Sequence, residues 1–229
     1  MSRQDAQSRN PIEILYEDDR FVVFNKPPGL LVIPSPKNEQ RTLVSLVNRQ
    51  FAHKEGEFHL HPCHRLDRDT SGAILFAKGK KNQQLMMDLF HHGKIRKLYI
   101  AFVNGKLKSR EGEFRGRVRD LDQKRFQKNA PAKSAQTRYK VVQTKRSFSV
   151  VEVQPVTGRT NQIRIHFAEA GHPLVGERKY AFARDYDIKF KRVALHAAFL
   201  EWPDPVSHEV KNVSVPLPED MQTFKDRHG

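Results

Sequence analysis

At 229 residues, with 38% hydrophobic residues in short regular runs, the chain can bury a sizeable core, and no run nears the ~18 apolar residues of a membrane-spanning helix. Forty-one Lys and Arg against 26 Asp and Glu leave a charge of +15 and a pI near 10.0, which makes a polyanion the leading partner. Cys63 is the only cysteine, so an intrachain disulfide is excluded and a reducing, cytoplasmic setting is expected.

In chain order, the opening MSRQDAQSRN (1–10) lacks the apolar stretch of a secretory signal and reads as a disordered polar tail. Two apolar runs, Ile12–Tyr16 and Phe21–Phe24, flank Glu-Asp-Asp-Arg as a hairpin would, and Pro27-Pro28-Gly29 must end the second strand. TLVSLVNRQF (42–51) has apolar residues at helical spacing with Thr42 as its cap. The loop HRLDRDTSG (64–72) feeds a buried strand, 73–77. KKNQQLMMDLFHHGK reads as a helix stopping at Gly93, with Met86, Leu89 and Phe90 facing the core.

Strands are then predicted at 97–103, 113–119, 136–143 and 148–154. TNQIRIHFAEAG (160–171) switches to a helical period, with Ile163, Phe167 and Ala170 on its buried stripe, Arg164 at the stripe's edge and His166 flanking it. Strands at 193–201 and 208–214 follow, and PEDMQTFKDR closes as a short helix with Pro218 near its first turn. Strands in runs with helices inserted between them indicate an α+β fold on a mixed, mostly antiparallel sheet, in one domain over 11–229.

Three stretches hold the chemistry. Asp67 sits between Arg65 and Arg68, so its charged form is favoured, which suits a nucleophile or electrostatic stabiliser better than a general acid. A structural salt bridge or a turn-forming Asp is the plainer reading of the same spacing. Arg159 and Arg164 on one ordered segment suit planar, bidentate recognition of a phosphate or carboxylate. In RKLYIAFVNG (96–105), Tyr99, Ala101 and Val103 share a face, and Tyr99 is either a half-buried sheet tyrosine or a platform for a base.

His59, His61 and Cys63 alternate as zinc ligands would, but Pro62 interrupts the strand and no distant pair completes the set. Cys63 is more simply a small buried residue. Residues 96–140 carry 14 Lys and Arg against four Asp and Glu, a net of +10 in about a fifth of the chain. These basic residues alternate with strand-like sequence, which fits a nucleic acid better than a membrane surface.

HRLDRDTSGAILFA resembles the signature of the RluA-type pseudouridine synthases, H-R-L-D-x-x-T-S-G followed by small and apolar residues. NKPPGLLVIP (25–34), RKLYIAFVNG (96–105), GRTNQIRIH (158–166) and LHA (195–197) agree with that family in the same order. Departures are local: Asn161 stands where a histidine is frequent, and Glu177 and Ala181 where Asp and Gly are common. The small amino-terminal S4 RNA-binding domain that many relatives carry is not expected in the ten residues before Pro11.

The resemblance implies a sheet with a central cleft flanked by helices and loops. It also implies an RNA pseudouridine synthase that needs no cofactor and works on a stem-loop of ribosomal or transfer RNA; a monomer is the default expectation. Asp67 would be the essential carboxylate, Arg164 its partner, and Tyr99 the surface against the base. Arg65 would fill the space left by a flipped uridine, and Leu195 would line the uracil pocket. Arg159, Lys128, Lys133 and Arg138, with Lys124 and Arg125, would grip the RNA. A noncatalytic RNA-binding protein on the same scaffold is the alternative.

Overall fold

The computed structural model describes residues 11–35, 39–52, 58–119, 131–181 and 188–228. The expected tail, 1–10, and Lys124, Arg125 and Lys128 lie outside them. Ten strands join in one sheet: β1 (Ile14–Glu17), β2 (Phe21–Lys26), β3 (Leu60–Pro62), β4 (Ser71–Lys78), β5 (Arg96–Asn104), β6 (Glu111–Val118), β7 (Lys133–Thr144), β8 (Phe148–Pro155), β9 (Leu195–Pro203) and β10 (Val210–Ser214). The spatial order is β1-β2-β4-β9-β5-β8-β7-β6, with β3 also on β4 and β10 also on β9. Every pairing is antiparallel except β4 with β9.

The helices among the described residues are α1 (Leu43–Phe51), α2 (Lys80–His91), α3 (Gln162–Glu169) and α4 (Glu219–Arg227). Alternation along the central strands decides which helix covers which face. Val22, Phe24, Ile74 and Phe76 turn to one side, where Leu43, Val47 and Phe51 of α1 and Ile163 and Phe167 of α3 meet them. Phe21, Val23, Ala73, Leu75 and Ala77 turn to the other and pack on Met86 of α2, while Phe102 and Phe148 pack on Met221 and Phe224 of α4. Strands β2 and β4 are thus buried on both faces and read as unbroken apolar runs.

Local chemistry sets the boundaries. The Thr42 hydroxyl accepts from the Ser45 amide, and the Ser45 hydroxyl accepts from the Thr42 amide, a reciprocal cap that starts α1. The helix expected over 160–171 is shorter because Asn161 adopts a left-handed φ of 53°, so helical geometry begins at Gln162. Ala170 is a correction to its expected stripe: it is exposed, and Gln162, Ile165 and His166 are buried in addition to Ile163 and Phe167. The helix is wedged against β6, β7 and β8 and buries more than one stripe.

The single parallel contact is where two motifs of the sequence meet. Ser71 pairs with His196 and Gly72 with Ala197, joining the TSG turn to LHA. Gly72 has φ of +109°, and a Cβ there would overlap the backbone of Ala197, so only glycine allows the approach.

Candidate active site

The loop 64–70 projects from this junction, and buried groups fix its course. The Leu75 amide donates to His64 Nε2 at 3.0 Å, so that nitrogen is unprotonated and the ring is neutral. Burial, and secondarily the Lys97 charge, push His64 down to about 3, which keeps it so. The Lys26 ammonium, fully buried, donates to the carbonyls of Pro27 (2.9 Å), Leu30 (2.7 Å) and Arg68 (2.9 Å). Burial pushes Lys26 down to about 7, against the opposing pull of Asp69 and Asp67.

Arg192 Nη1 donates to the Asp69 carbonyl at 3.1 Å, while its Nε and Nη2 bind Asp220 at 2.7 and 2.9 Å. Two buried cations therefore hold the consecutive carbonyls after Asp67. The Thr70 amide closes the turn on the Asp67 carbonyl at 3.1 Å. Below it, His196 Nε2 faces the Val215 carbonyl at 3.3 Å and must carry the proton, so the Ser71 hydroxyl donates to its Nδ1 at 2.9 Å.

Arg164 arrives from α3 and is held from the other side. Glu177 Oε2 and Oε1 accept from its Nε and Nη2 at 2.7 and 2.8 Å, and Asn161 Oδ1 accepts from Nη1 at 2.7 Å. Burial pushes the Glu177 carboxyl up, but Arg164 and the amides of Lys179 and Tyr180 outweigh it, leaving the group below its ordinary value. The Tyr180 ring stacks on the guanidinium at 5.2 Å. Glu177 is set in place by Gly176, whose φ of +80° and lack of a Cβ let the turn lie against the Arg192 carbonyl. The carboxylate on the fork of Arg164 is thus Glu177; the charge of Asp67 acts on Arg164 as well, helping to hold it protonated.

These groups open on a cleft of about 590 Å³ that brings together six of the residues singled out in the sequence: Asp67, Tyr99, Arg164, Arg65, Leu195 and Arg159. Tyr99, 8% exposed, stands on β5 in the same cleft as Asp67, and burial followed by the Asp67 charge raises its phenol, so it stays protonated. Leu195 is buried at the start of β9. Arg65 is exposed in the loop. The Gln162 side chain ties the 157–159 segment to β7: its Oε1 accepts from the Thr157 hydroxyl (2.6 Å) and the Arg159 amide (3.0 Å), and its Nε2 donates to Gln136 O and Thr137 Oγ1.

Other expected residues lie elsewhere. Lys133 and Arg138 are exposed on β7, outside the cleft wall, and Arg138 pairs with Glu113 at 3.0 Å. His166 turns away from Arg164 to contact Thr137 Oγ1 at 2.9 Å and is buried. The His59 and His61 rings lie 4.9 Å apart, but Cys63 is in the core with Leu75 and Met86. No His, Cys, Asp or Glu group among the described residues is arranged to hold a metal.

Sequence reasoning noticed Glu177 only as a departure and did not reach Arg192 or Asp220. Each acts through a partner far along the chain, and only Glu177, as an acidic residue where Asp is common in the family, hints at one of them.

Residues 20–169 match the family model described as RNA pseudouridylate synthase. The dual-specificity RNA pseudouridine synthase RluA of Vibrio cholerae is 35% identical over 90% of this chain and 82% of the relative. Ribosomal large subunit pseudouridine synthase D of Xylella fastidiosa is 33% identical over 96% of this chain and 70% of the relative. The solved structure of human RNA pseudouridylate synthase domain containing 4 superposes with a TM-score of 0.78 at 26% identity, covering 97% of this chain and 94% of that one. The matched span, the identities and the shared fold agree: the chain belongs to the RNA pseudouridylate synthase family, in its RluA-type branch, and is an isomerase acting on RNA.

Proposed function

We propose that this enzyme converts specific uridines of structured ribosomal or transfer RNA to pseudouridine, with Asp67 as the essential carboxylate. The observation that carries the reading is the convergence of Asp67, Tyr99, Arg164 and Leu195 on one cleft. The C1′–N1 bond breaks, the uracil turns, and C5 bonds to C1′; C5 loses a proton and N1 gains one. Atoms and electrons balance without an external oxidant or cofactor. Attack on C1′ and removal of the 2′ proton both need an ionised Asp67, which the neighbouring charges of Arg164 and Lys26 favour.

Tyr99, held as a phenol, serves as a surface for the base rather than as a standing base catalyst. A stacked uridine cannot reach a carboxylate at this depth, so the target is flipped, at a cost of a few kcal/mol that backbone contacts offset. Arg65, exposed at the cleft, fills the vacated space. Arg159, together with the exposed Lys133 and Arg138 and with Lys128 beyond the described residues, binds phosphates.

One chain supplies the whole constellation, which supports a monomeric catalytic unit acting as a single domain over 11–229. The relatives named above, one a ribosomal large subunit enzyme and one of dual specificity, support the choice of RNA. The free buried thiol of Cys63 suits the cytoplasm.

The test is release of tritium from RNA labelled at uracil C5, without added cofactor. Wild type should release label, and Asp67→Asn should release none while binding RNA with unchanged affinity. Equal turnover by the two proteins would remove Asp67 from the chemistry, and binding without release by wild type would favour a noncatalytic RNA-binding protein.

A further inference from the structure

Two cations of the cleft, Arg65 and Lys97, are not tied down by the fold among the described residues; Arg65 is exposed, whereas Lys97 is half-buried. Arg164 is engaged by Glu177 and Asn161, and Arg159 Nε donates to the Ser134 carbonyl at 3.0 Å. The Lys97 ammonium, which also lines the cleft, makes no hydrogen bond or ion pair among the described residues, while its backbone pairs with Leu200 of β9. Its ammonium stands 5.6 Å from the centre of the Phe90 ring and beside Gly158, where a Cβ would lie 3.8 Å from Nζ. Burial alone lowers its pKa from the ordinary lysine value, with no carboxylate to compensate. A half-buried charge without a counter-ion is a standing penalty, and such groups are retained where a ligand supplies the missing charge.

The register fixes where Lys97 stands. Ala198 of β9 is the extra residue at a bulge, since Leu98 pairs with Phe199 and Tyr99 with Ala197; β5 itself therefore alternates regularly. Lys97 and Tyr99 share a face two residues apart, about 7 Å along the strand, with Lys97 toward the beginning of β5. Tyr99 is buried and Lys97 half-buried, so Lys97 is the outer of the two. That offset matches the span from a pyrimidine ring to the phosphate of its own nucleotide.

We propose that Lys97 is a further phosphate anchor of the cleft beside Arg159: its ammonium binds a phosphodiester flanking the nucleotide whose base packs on Tyr99. A compact ammonium on a flexible stem suits this task, and the neutral ring of His64 adds no competing charge. The assignment rests on the reading that a flipped uridine occupies the cleft.

The test compares wild type, Lys97→Met and Lys97→Arg in RNA affinity across a salt series and in tritium release. It uses normal RNA and RNA with one neutral methylphosphonate on either side of the target uridine. Lys97→Met should weaken binding about tenfold or more and flatten the salt slope by about one ion, and Lys97→Arg should restore most of both. The neutral linkage at the contacted position should cost wild type the same factor and cost Lys97→Met nothing further. Unchanged affinity and slope in Lys97→Met would overturn the assignment, as would full sensitivity of that variant to both neutral linkages. Asp67→Asn separates the two readings: if it turns over normally, the view of the cleft falls; if it is inactive while Lys97→Met binds like wild type, only Lys97 falls.

Discussion

In the proposed chemistry Arg164 can serve Asp67 only if it is itself immobile, and Glu177 holds its guanidinium through two hydrogen bonds. The pair has side-chain exposures of 12% and 0%, so removing one partner strands the other's charge in a poor solvent. Glu177→Ala should therefore destabilise the protein by about 3–5 kcal/mol. Glu177→Asp, which keeps the charge and can be reached by a small loop shift, should lose far less; denaturant unfolding of both variants alongside tritium release measures it. Gly72 makes a steric counterpart. Gly72→Ala forces a side chain into the Ala197 backbone at φ of +109°, and strain plus overlap should cost about 2–5 kcal/mol, read as a lower unfolding midpoint.

Between elements, the turn that carries Asp67 is suspended from two buried cations on different parts of the fold: Lys26 at the end of β2 and Arg192 just before β9, the latter braced by Asp220 in the first turn of α4. Asp220→Ala leaves Arg192 without its carboxylate and should cost about 1–3 kcal/mol of stability. It should also lower kcat more than RNA affinity, because the carbonyl of Asp69 loses a braced donor while the basic surface is unchanged; single-turnover release and binding titrations distinguish the two. Such long-range braces mark the limit of reading the chain by itself. The β1–β2 hairpin, the Thr42 cap, the stop of β2 at Pro27 and the closing helix behind Pro218 depend on neighbours within a few residues, and the sequence shows them. Arg164 at a stripe edge was legible for the same reason. Glu177, Arg192 and the parallel β4–β9 contact were not, because their meaning lies in residues 13 to 125 positions away. Ala170 failed because a helical period cannot foresee a helix wedged against three strands.

Taken whole, the molecule carries two protonation balances of one sign. Burial pushes His64 down to about 3 and His196 down to about 4, both from 6.5, so between pH 6.5 and 4.5 the unfolded chain binds more protons than the folded one. Stability should fall as pH drops through that window, before depressed carboxylates such as Glu177 begin to titrate. Lys26, pushed down to about 7 from 10.5, is likewise more protonated unfolded than folded above pH 7, so stability should still be rising there. Urea midpoints from pH 4.5 to 8.5 check both limbs, and His196→Asn should flatten the acid one. Binding answers to a different whole-molecule property. The charge of +15 includes +10 within residues 96–140, and Lys133 and Arg138 lie exposed there on the β-sheet surface outside the cleft. Such charges act on any phosphate within a Debye length and carry no sequence information, so they should govern affinity rather than the choice of uridine. Raising monovalent salt from 50 to 200 mM should weaken RNA binding by about 10³-fold if on the order of six phosphates are neutralised. A Lys133→Ala, Arg138→Ala double variant should bind less tightly with a shallower salt slope, while pseudouridine mapping at saturating enzyme finds the same uridine modified. A changed target in that variant would place selection on the β7 surface; an unchanged target leaves it to the cleft and the turn that carries Asp67.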